Sequence, residues 1–466
     1  MRGPQSFGRL AGAFGVCGVL GILWGCDLAT LGLLLVCSFV LLSVAARSPS
    51  SCALLSLGYA CAAAGVAYVL LIVETPTLYF SPTQANQALV AGTPTLHERI
   101  SPTLWAVGGD MQVVAHNWLK KRARDPVRFE RQLLRHADSG ETALEWLRDD
   151  SRPSDLPPLA DTAPLLLVLH SILAGAFDQY SLNGFLRAAR ARGWRAVLHV
   201  RRAHSDLPMR VLRWNTVGNT SDARDAMVEV SRRYPHASDL CVAGFSAGSG
   251  LMVRLLGELA SLPPSPSGTP PLPRITAAVG VSPGFALPAA WARVRWPYNA
   301  RMASKVAWHF LQRPAESRDS VAIRAADPAA YDAALAAPDL PAFHRAAWKL
   351  AGFTSESEMH SLSDPMAVAD VVAVPTLLLS ALDDPFCVAE SIDYQLPRRN
   401  PNFLLATTRR GGHLAFYQGL WAESWAERSA LEFLGHAREL ASAARAAAAG
   451  YRQGATALSA NRTANK

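Results

Sequence analysis

The most constraining feature of this 466-residue sequence is the pentapeptide Gly-Phe-Ser-Ala-Gly at 244–248. An apolar run at 239–243 predicts a buried strand before it, and a second run at 251–256 predicts a helix after it. Between a strand and a helix, small residues two positions either side of a serine let the backbone turn sharply and expose the hydroxyl. We therefore expect Ser246 to be a nucleophile. The backbone N–H of Ala247, at the start of the helix, is then a candidate oxyanion donor.

A second stretch with the same spacing, Gly-Val-Ser-Pro-Gly at 280–284, has a different interpretation. Proline follows its serine, and proline has no N–H to donate to an oxyanion. Ser282 is therefore interpreted as the end of a strand at 275–282, and Ser246 as the nucleophile.

The front of the chain holds most of the apolar excess of a sequence that is 50% apolar and 18% charged. Asp27 is the only charged residue between positions 10 and 46, and 52–73 has none. A membrane-spanning helix needs about 20 apolar residues. We expect two or three transmembrane helices at 10–26, 28–46 and 52–73, and hence an integral membrane protein of the endoplasmic reticulum or another endomembrane, with the bilayer as a partner. A cleaved signal peptide is the alternative for the first span only.

Charge and cysteine usage exclude several classes of function. The formal net charge is +8, but the basic residues are dispersed, so we expect no nucleic-acid partner. Five of the seven cysteines lie in the apolar front, and no Cys-x-x-Cys or His/Cys pairing occurs. We therefore expect no metal and no cofactor.

Apolar, strand-like runs alternate with helix-like runs through the rest of the chain. The predicted strands lie at 164–170, 194–200, 275–282, 374–381 and 402–408, and helices are predicted at 182–192 and 222–233. This alternation predicts a mostly parallel sheet with helices on both faces, whose functional residues follow the strands. We divide the chain into a membrane segment (1–74), a catalytic domain (75–445) with a helical cap insert (285–373), and a polar tail (446–466).

Two further groups stand directly after predicted strands. Asp383 and Asp384 follow the strand at 374–381, and His413 follows the strand at 402–408 after two glycines. An activated serine needs a histidine base and a carboxylate that orients it, and in α/β-hydrolases the order is serine, acid, histidine. The residues alone do not decide which of the two aspartates is the acid.

The loop after 164–170 supplies the second candidate oxyanion donor, the N–H of Ile172, and His170 is interpreted as support for that loop.

Several short motifs resemble those of the membrane-anchored α/β-hydrolase-domain proteins, the eukaryotic branch related to yeast acyl-transferring esterases and to a bacterial hydrolase. The resemblance covers about 75–440 and rests on Ser-Pro-Thr-Leu-Trp at 101–105, Asp-Ser-Gly at 138–140, Asp-Asp-Pro-Phe at 383–386 and Arg-Gly-Gly-His at 410–413. It implies the α/β-hydrolase fold, with Asp384 rather than Asp383 as the acid. It also implies activity on acyl esters of lipids, as a hydrolase or an acyltransferase.

The chain departs from the family pattern at three places. The family's His-Gly in the oxyanion loop is His-Ser at 170–171, its Asn-His-Arg-Gly is His-Val-Arg-Arg at 199–202, and the front carries more hydrophobic sequence than a single anchor needs. The His-x4-Asp pattern of some acyltransferases has no match, which favours hydrolysis. We expect a membrane-bound serine hydrolase that cleaves acylglycerol or phospholipid esters through Ser246, Asp384 and His413. The alternatives are an acyltransferase with the same residues and a catalytically silent scaffold or lipid receptor.

Overall fold

A computed structural model of the chain describes residues 64–464, apart from gaps at 123–126, 149–156, 174–178, 215–216, 218–219, 263–273 and 319. The chain divides into two compact units, Met1–Glu74 with Arg99–Pro102, and Thr75–Glu98 with Thr103–Lys466. In the first unit, the described residues form a helix at 64–71 and an antiparallel bridge between Glu74 and Ile100.

The predicted transmembrane helices are not found in the described chain. The spans at 10–26 and 28–46 and the first part of the third span lie outside the described residues. Among the described residues, no helix combines the length and the apolar character needed to cross a bilayer. This finding contradicts the predicted integral membrane localisation, and that prediction is corrected.

The second unit is built on a nine-stranded sheet with a small two-stranded sheet beside it. The strands are β1 (Thr77–Phe80), β2 (Phe129–Arg135), β3 (Glu141–Leu147), β4 (Leu165–Leu169), β5 (Arg195–Val200), β6 (Leu240–Phe245), β7 (Ile275–Val281), β8 (Thr376–Ala381), β9 (Phe403–Thr408), β10 (Tyr417–Gln418) and β11 (Glu423–Ser424). The large sheet has the order β1-β9-β8-β7-β6-β4-β5-β3-β2.

The centre of the large sheet is parallel. The six strands from β5 through β4, β6, β7 and β8 to β9 all run the same way, whereas β1, β2 and β3 pair antiparallel with their neighbours. Parallel strands that are buried on both faces are covered by helices on both sides. This is the α/β-hydrolase fold, and the predicted mostly parallel sheet is confirmed.

Helices fill most of the remaining described chain. They are α1 (Gln84–Ala91), α2 (Gly109–Arg122), α3 (Gln179–Ala191), α4 (Ser221–Arg233), α5 (Ala247–Ala260), α6 (Ala289–Arg293), α7 (Tyr298–Ala307), α8 (Ile323–Ala326), α9 (Pro328–Leu335), α10 (Leu340–Ala347), α11 (Glu356–Ser363), α12 (Met366–Ala369), α13 (Leu396–Arg399) and α14 (Trp425–Ala464). The last helix includes most of the predicted tail.

The main core lies between the sheet and helices α4 and α5. Every residue of β4 and β6 is buried. Alternate residues of β4, Leu165, Leu167 and Leu169, pack in one cluster with Val242 of β6 and with apolar residues of both helices. Because side chains alternate across a strand, these leucines share one face of the sheet. The core therefore fixes the strand ends from which the functional side chains project.

The chain between β7 and β8 forms a helical insert that shares a second hydrophobic core with residues 203–217. Helices α6 to α12 lie in this interval, where the sequence predicted a cap at 285–373. Trp214 and Phe310 stack with ring centroids 5.3 Å apart, and Phe343 is fully buried in the same cluster. This core supports the insert, which forms one wall of a cavity beside the sheet.

Candidate active site

Ser246 lies in the sharp turn between β6 and α5. Its backbone has φ 53° and ψ −119°, an unusual conformation for a residue with a side chain and one that is concentrated at functional sites. A Cβ atom on Gly248 would lie 2.1 Å from the Leu169 carbonyl oxygen, and one on Gly244 would lie 2.5 Å from the Gly248 carbonyl oxygen. Both glycines of the sequence motif are therefore required by close backbone packing.

Three predicted side chains form one hydrogen-bonded chain. The Ser246 hydroxyl oxygen lies 2.8 Å from Nε2 of His413, and Nδ1 of the same ring lies 2.7 Å from an Asp384 carboxylate oxygen. The three residues follow the ends of β6, β9 and β8, as the sequence order predicted. With Nδ1–H donating to the carboxylate, Nε2 is free to accept the serine proton.

Asp384 is held in place by its own turn. Its second carboxylate oxygen accepts hydrogen bonds from the backbone N–H groups of Phe386 (2.7 Å) and Cys387 (3.0 Å). The residue is 2% exposed. These contacts fix its orientation toward His413.

Asp383 has a different role. Its carboxylate accepts hydrogen bonds from the N–H groups of Gly411 (3.0 Å) and Gly412 (2.8 Å), the two residues before His413. Burial raises the pKa of Asp383 to about 6, and the neighbouring charge of Asp384 adds to the rise, while these hydrogen bonds oppose it. Asp383 therefore anchors the histidine loop, while the carboxylate hydrogen-bonded to the imidazole is that of Asp384.

The loop that carries His413 is fixed on its other side as well. Gly412 has φ +58°, and a Cβ atom there would lie 2.6 Å from the Gly109 carbonyl oxygen. The Leu414 N–H donates to the Ser282 hydroxyl at 3.1 Å. Ser282 is 1% exposed and follows β7, so its hydroxyl supports this loop.

The two candidate oxyanion donors lie beside the same cavity as Ser246. The Ala247 N–H belongs to the first turn of α5, where a helix has no intrahelical partner for it. The Ile172 N–H donates to no other group in the described part of the chain. Both groups are free to bind the oxygen of a reacting carbonyl.

A cavity of about 230 Å³ opens beside Ser246 and His413. The helical insert contributes an apolar wall to it, formed by Leu287, Trp291, Val294, Met302 and Leu340. Lys305 lines it too, as an exposed cation. The cavity suits a substrate with a long apolar part next to the reacting bond.

Sequence inspection missed Arg201 and His204, which lie against the oxyanion loop. Arg201 is 3% exposed and donates to the Ser171 carbonyl oxygen at 2.8 Å. Nε2 of His204 lies 2.6 Å from the Ile172 carbonyl oxygen. Both residues follow the strand predicted at 194–200, and functional residues of a parallel sheet lie just after its strands. This position was the one sequence feature that could have pointed to them.

One group of potential metal ligands lies within the site. Atoms of Asp384, Cys387 and His413 fall within 4.8 Å of one another. The carboxylate and the imidazole are already hydrogen-bonded to each other, and the Cys387 thiol donates to the Ser282 carbonyl oxygen at 3.3 Å. Burial raises the pKa of this thiol well above its usual value. The arrangement is therefore better suited to proton transfer than to holding a metal ion.

Comparison with known proteins adds relatives over most of the chain. Human phospholipase ABHD3 is 24% identical over 355 residues, which cover 76% of this chain and 82% of that protein. Mouse monoacylglycerol lipase ABHD2 is 24% identical over 388 residues, covering 77% and 84%. No protein-family model matches the chain. Among solved structures, the Pyrococcus furiosus esterase Pf2001 aligns with a TM-score of 0.41 and 16% identity, covering 66% of this chain and 92% of that one.

Proposed function

We propose that this carboxylic ester hydrolase, a member of the α/β-hydrolase-domain family, cleaves acyl esters of lipids with Ser246 as its nucleophile. The observation that carries the proposal is the hydrogen-bonded chain from the Ser246 hydroxyl through His413 to Asp384, at 2.8 and 2.7 Å. Such a chain is the arrangement that makes a serine hydroxyl reactive toward an ester.

The first step uses all three side chains. His413 takes the hydroxyl proton at Nε2 while the Ser246 oxygen attacks the ester carbonyl carbon. The ring then carries a positive charge, which the Asp384 carboxylate stabilises across the 2.7 Å contact at Nδ1. The former carbonyl oxygen becomes an oxyanion, and the N–H groups of Ala247 and Ile172 bind it.

The second half of the reaction releases the acyl group. His413 gives its proton to the departing alcohol oxygen, which leaves an acyl ester on Ser246. A water molecule then donates a proton to His413 and attacks this ester, and the protonated ring returns the proton to the serine oxygen. The products are a free fatty acid and an alcohol.

The lining of the cavity supports the proposal that the substrate is a lipid ester. Its apolar wall in the insert, which includes Leu287, Trp291 and Leu340, can cover an acyl chain that leads away from Ser246. The exposed ammonium group of Lys305 suits the phosphate of a phospholipid. The names of the two relatives, a phospholipase and a monoacylglycerol lipase, support phospholipids and acylglycerols as the substrate classes.

The test is fatty-acid release from a monoacylglycerol and from a diacyl phospholipid with the same acyl chain. We expect the purified protein to release fatty acid from at least one of them and Ser246→Ala to release none. Addition of a short alcohol separates hydrolysis from acyl transfer, because a transferase forms the new ester instead of the acid. A folded protein with no turnover on either lipid or on short-chain esters contradicts the proposal and favours a silent scaffold.

A further inference from the structure

Buried cationic and imidazole groups hold three consecutive carbonyl oxygens of the oxyanion loop. Nη2 of Arg201 donates to the carbonyl oxygens of Ser171 (2.8 Å) and His170 (3.3 Å). Nε2 of His204 lies 2.6 Å from the carbonyl oxygen of Ile172. All three carbonyls of the loop therefore point into the protein, away from solvent.

The His170 ring adds a second contact to the same loop. Its Nε2 accepts the backbone N–H of Arg201 at 3.1 Å, so the ring proton is on Nδ1, which donates to the Ser171 carbonyl oxygen at 2.6 Å. Burial and the nearby charge of Arg201 lower the pKa of His170 well below its usual value. The ring is therefore neutral, and the Ser171 carbonyl receives two donors.

The direction of the Ser171 carbonyl determines the direction of the next N–H. In a planar trans peptide, the carbonyl of one residue and the N–H of the following residue point to opposite sides. Arg201 and His170 hold the Ser171 carbonyl on the buried side, so the Ile172 N–H faces away from them. Ile172 lines the cavity beside Ser246, and its N–H donates to no other group among the described residues.

We infer that Arg201 is a positioning residue, which holds the Ser171–Ile172 peptide so that the Ile172 N–H faces the oxyanion formed at Ser246. This inference rests on the proposed serine hydrolase function and assigns the buried guanidinium to transition-state stabilisation. Arg201 does not touch the substrate and acts only through the peptide that it holds.

The charge of Arg201 strengthens the donor as well as orienting it. Burial lowers the pKa of this guanidinium to about 9, so it still carries its charge at pH 7. A cation that donates to a carbonyl polarises the whole peptide unit and makes its N–H a better donor. Loss of the guanidinium should therefore weaken oxyanion binding more than substrate binding.

The test compares Arg201→Met with Arg254→Met. Arg254 is the control because it is also buried and also donates to carbonyl oxygens, those of Ser361 (2.7 Å) and Asp364 (3.0 Å), outside the oxyanion loop; it additionally pairs with Glu258 at 2.9 Å. For each variant, kcat and KM with a short-chain ester, the Kd for an arylboronic acid and the melting temperature are measured. The boronic acid forms a tetrahedral adduct with an active serine and requires the oxyanion donors, whereas the melting temperature reports folding.

Removal of one oxyanion donor lowers kcat by about 100- to 1,000-fold. We expect Arg201→Met to lower kcat by about 100-fold and to weaken boronic acid binding by a similar factor, with KM within about threefold of wild type. Arg254→Met should lower the melting temperature with kcat within about threefold of wild type. Equal losses of kcat in the two variants, or an unchanged boronic acid Kd in Arg201→Met, overturn the inference.

If Arg201→Met does not fold, the Arg201→Lys variant is measured in its place. Lysine keeps the charge, but its ammonium nitrogen lies one bond nearer the backbone than Nη2, the atom that donates to both carbonyls, so we expect a kcat about tenfold lower at unchanged KM. A kcat within about twofold of wild type overturns the inference. A wild-type protein that neither hydrolyses esters nor binds the boronic acid refutes the proposed function itself, which is a separate outcome.

Discussion

Asp383 and Asp384 are neighbours in sequence, yet their carboxylates reach different parts of the site. An Asp384 oxygen lies 2.7 Å from Nδ1 of His413, whereas an Asp383 oxygen accepts the N–H groups of Gly411 and Gly412. One carboxylate thus contacts the imidazole, and the other holds the loop on which the imidazole stands. The two substitutions to asparagine should separate these roles.

Asp384→Asn is expected to lower kcat by about 10,000-fold, because an amide cannot stabilise the charged ring and favours the wrong tautomer. Asp383→Asn retains an oxygen that accepts from Gly411 and Gly412. We expect its kcat to remain within about tenfold of wild type. Steady-state kinetics on one short-chain ester compares the two, and the reverse order of effects would assign the acid to Asp383.

The raised pKa of Asp383 predicts a pH dependence of stability. The pKa rises from 3.8 to about 6 on folding, mainly because the group is buried. Between these values the folded chain binds more protons than the unfolded chain, so the free energy of unfolding falls as the pH rises from 4 to 6. The fall attributable to this group is at most about 3 kcal/mol. Urea titrations across this range should show a smaller fall for Asp383→Asn, and identical slopes would contradict the assignment.

Because Gly248 is closely packed, we expect even one added methyl group to lower both stability and activity. Gly248→Ala places a Cβ 2.1 Å from the Leu169 carbonyl oxygen, and we expect a loss of about 1–3 kcal/mol in stability together with reduced kcat. Gly435→Ala is the control, because its Cβ meets nothing within 4 Å and alanine is favoured in a helix. Thermal melts and kinetics test both. If Gly248→Ala is as stable and active as Gly435→Ala, the account of the turn is wrong.

The apolar wall of the insert predicts control of acyl-chain length. Val294 is 9% exposed and lines the cavity, so Val294→Phe fills space that an acyl chain would occupy. We expect kcat/KM for a long-chain ester to fall at least about tenfold more than for an acetyl ester. Val228→Phe, at a 40% exposed site on α4, should leave the ratio unchanged. The ratio is measured over a series of p-nitrophenyl esters, and an unaltered ratio in Val294→Phe would place the acyl chain elsewhere.

The parallel centre of the fold could be predicted from sequence because its strands are buried on both faces. The predicted runs at 164–170, 194–200 and 402–408 correspond to β4, β5 and β9 within two residues at each end. Strand β2, at one edge of the sheet, was missed for a physical reason. All of its residues are exposed or half-buried and charged residues interrupt the apolar ones, so no continuous apolar run marks it.

The candidate site also has a part that could be predicted from sequence and a part that could not. Ser246, Asp384 and His413 stand at strand ends in the expected order, and the structure brings them within hydrogen-bonding distance. The support beneath them could not be derived from local sequence, because Arg201 reaches His170 and Ser171 across about 30 positions of the chain. Long-range contacts of this kind depend on the register of neighbouring strands. They leave no periodic pattern in the sequence.

The most direct test of the central claim is covalent labelling by a fluorophosphonate probe, which reacts with an activated serine. The account predicts that the wild-type protein is labelled, that Ser246→Ala is not, and that Ser282→Ala, which removes the hydroxyl of the second motif, remains labelled. Intact-protein mass spectrometry gives the stoichiometry and the modified residue. Labelling that persists in Ser246→Ala, or a folded wild-type protein that does not react, would contradict the assignment of Ser246 as the nucleophile.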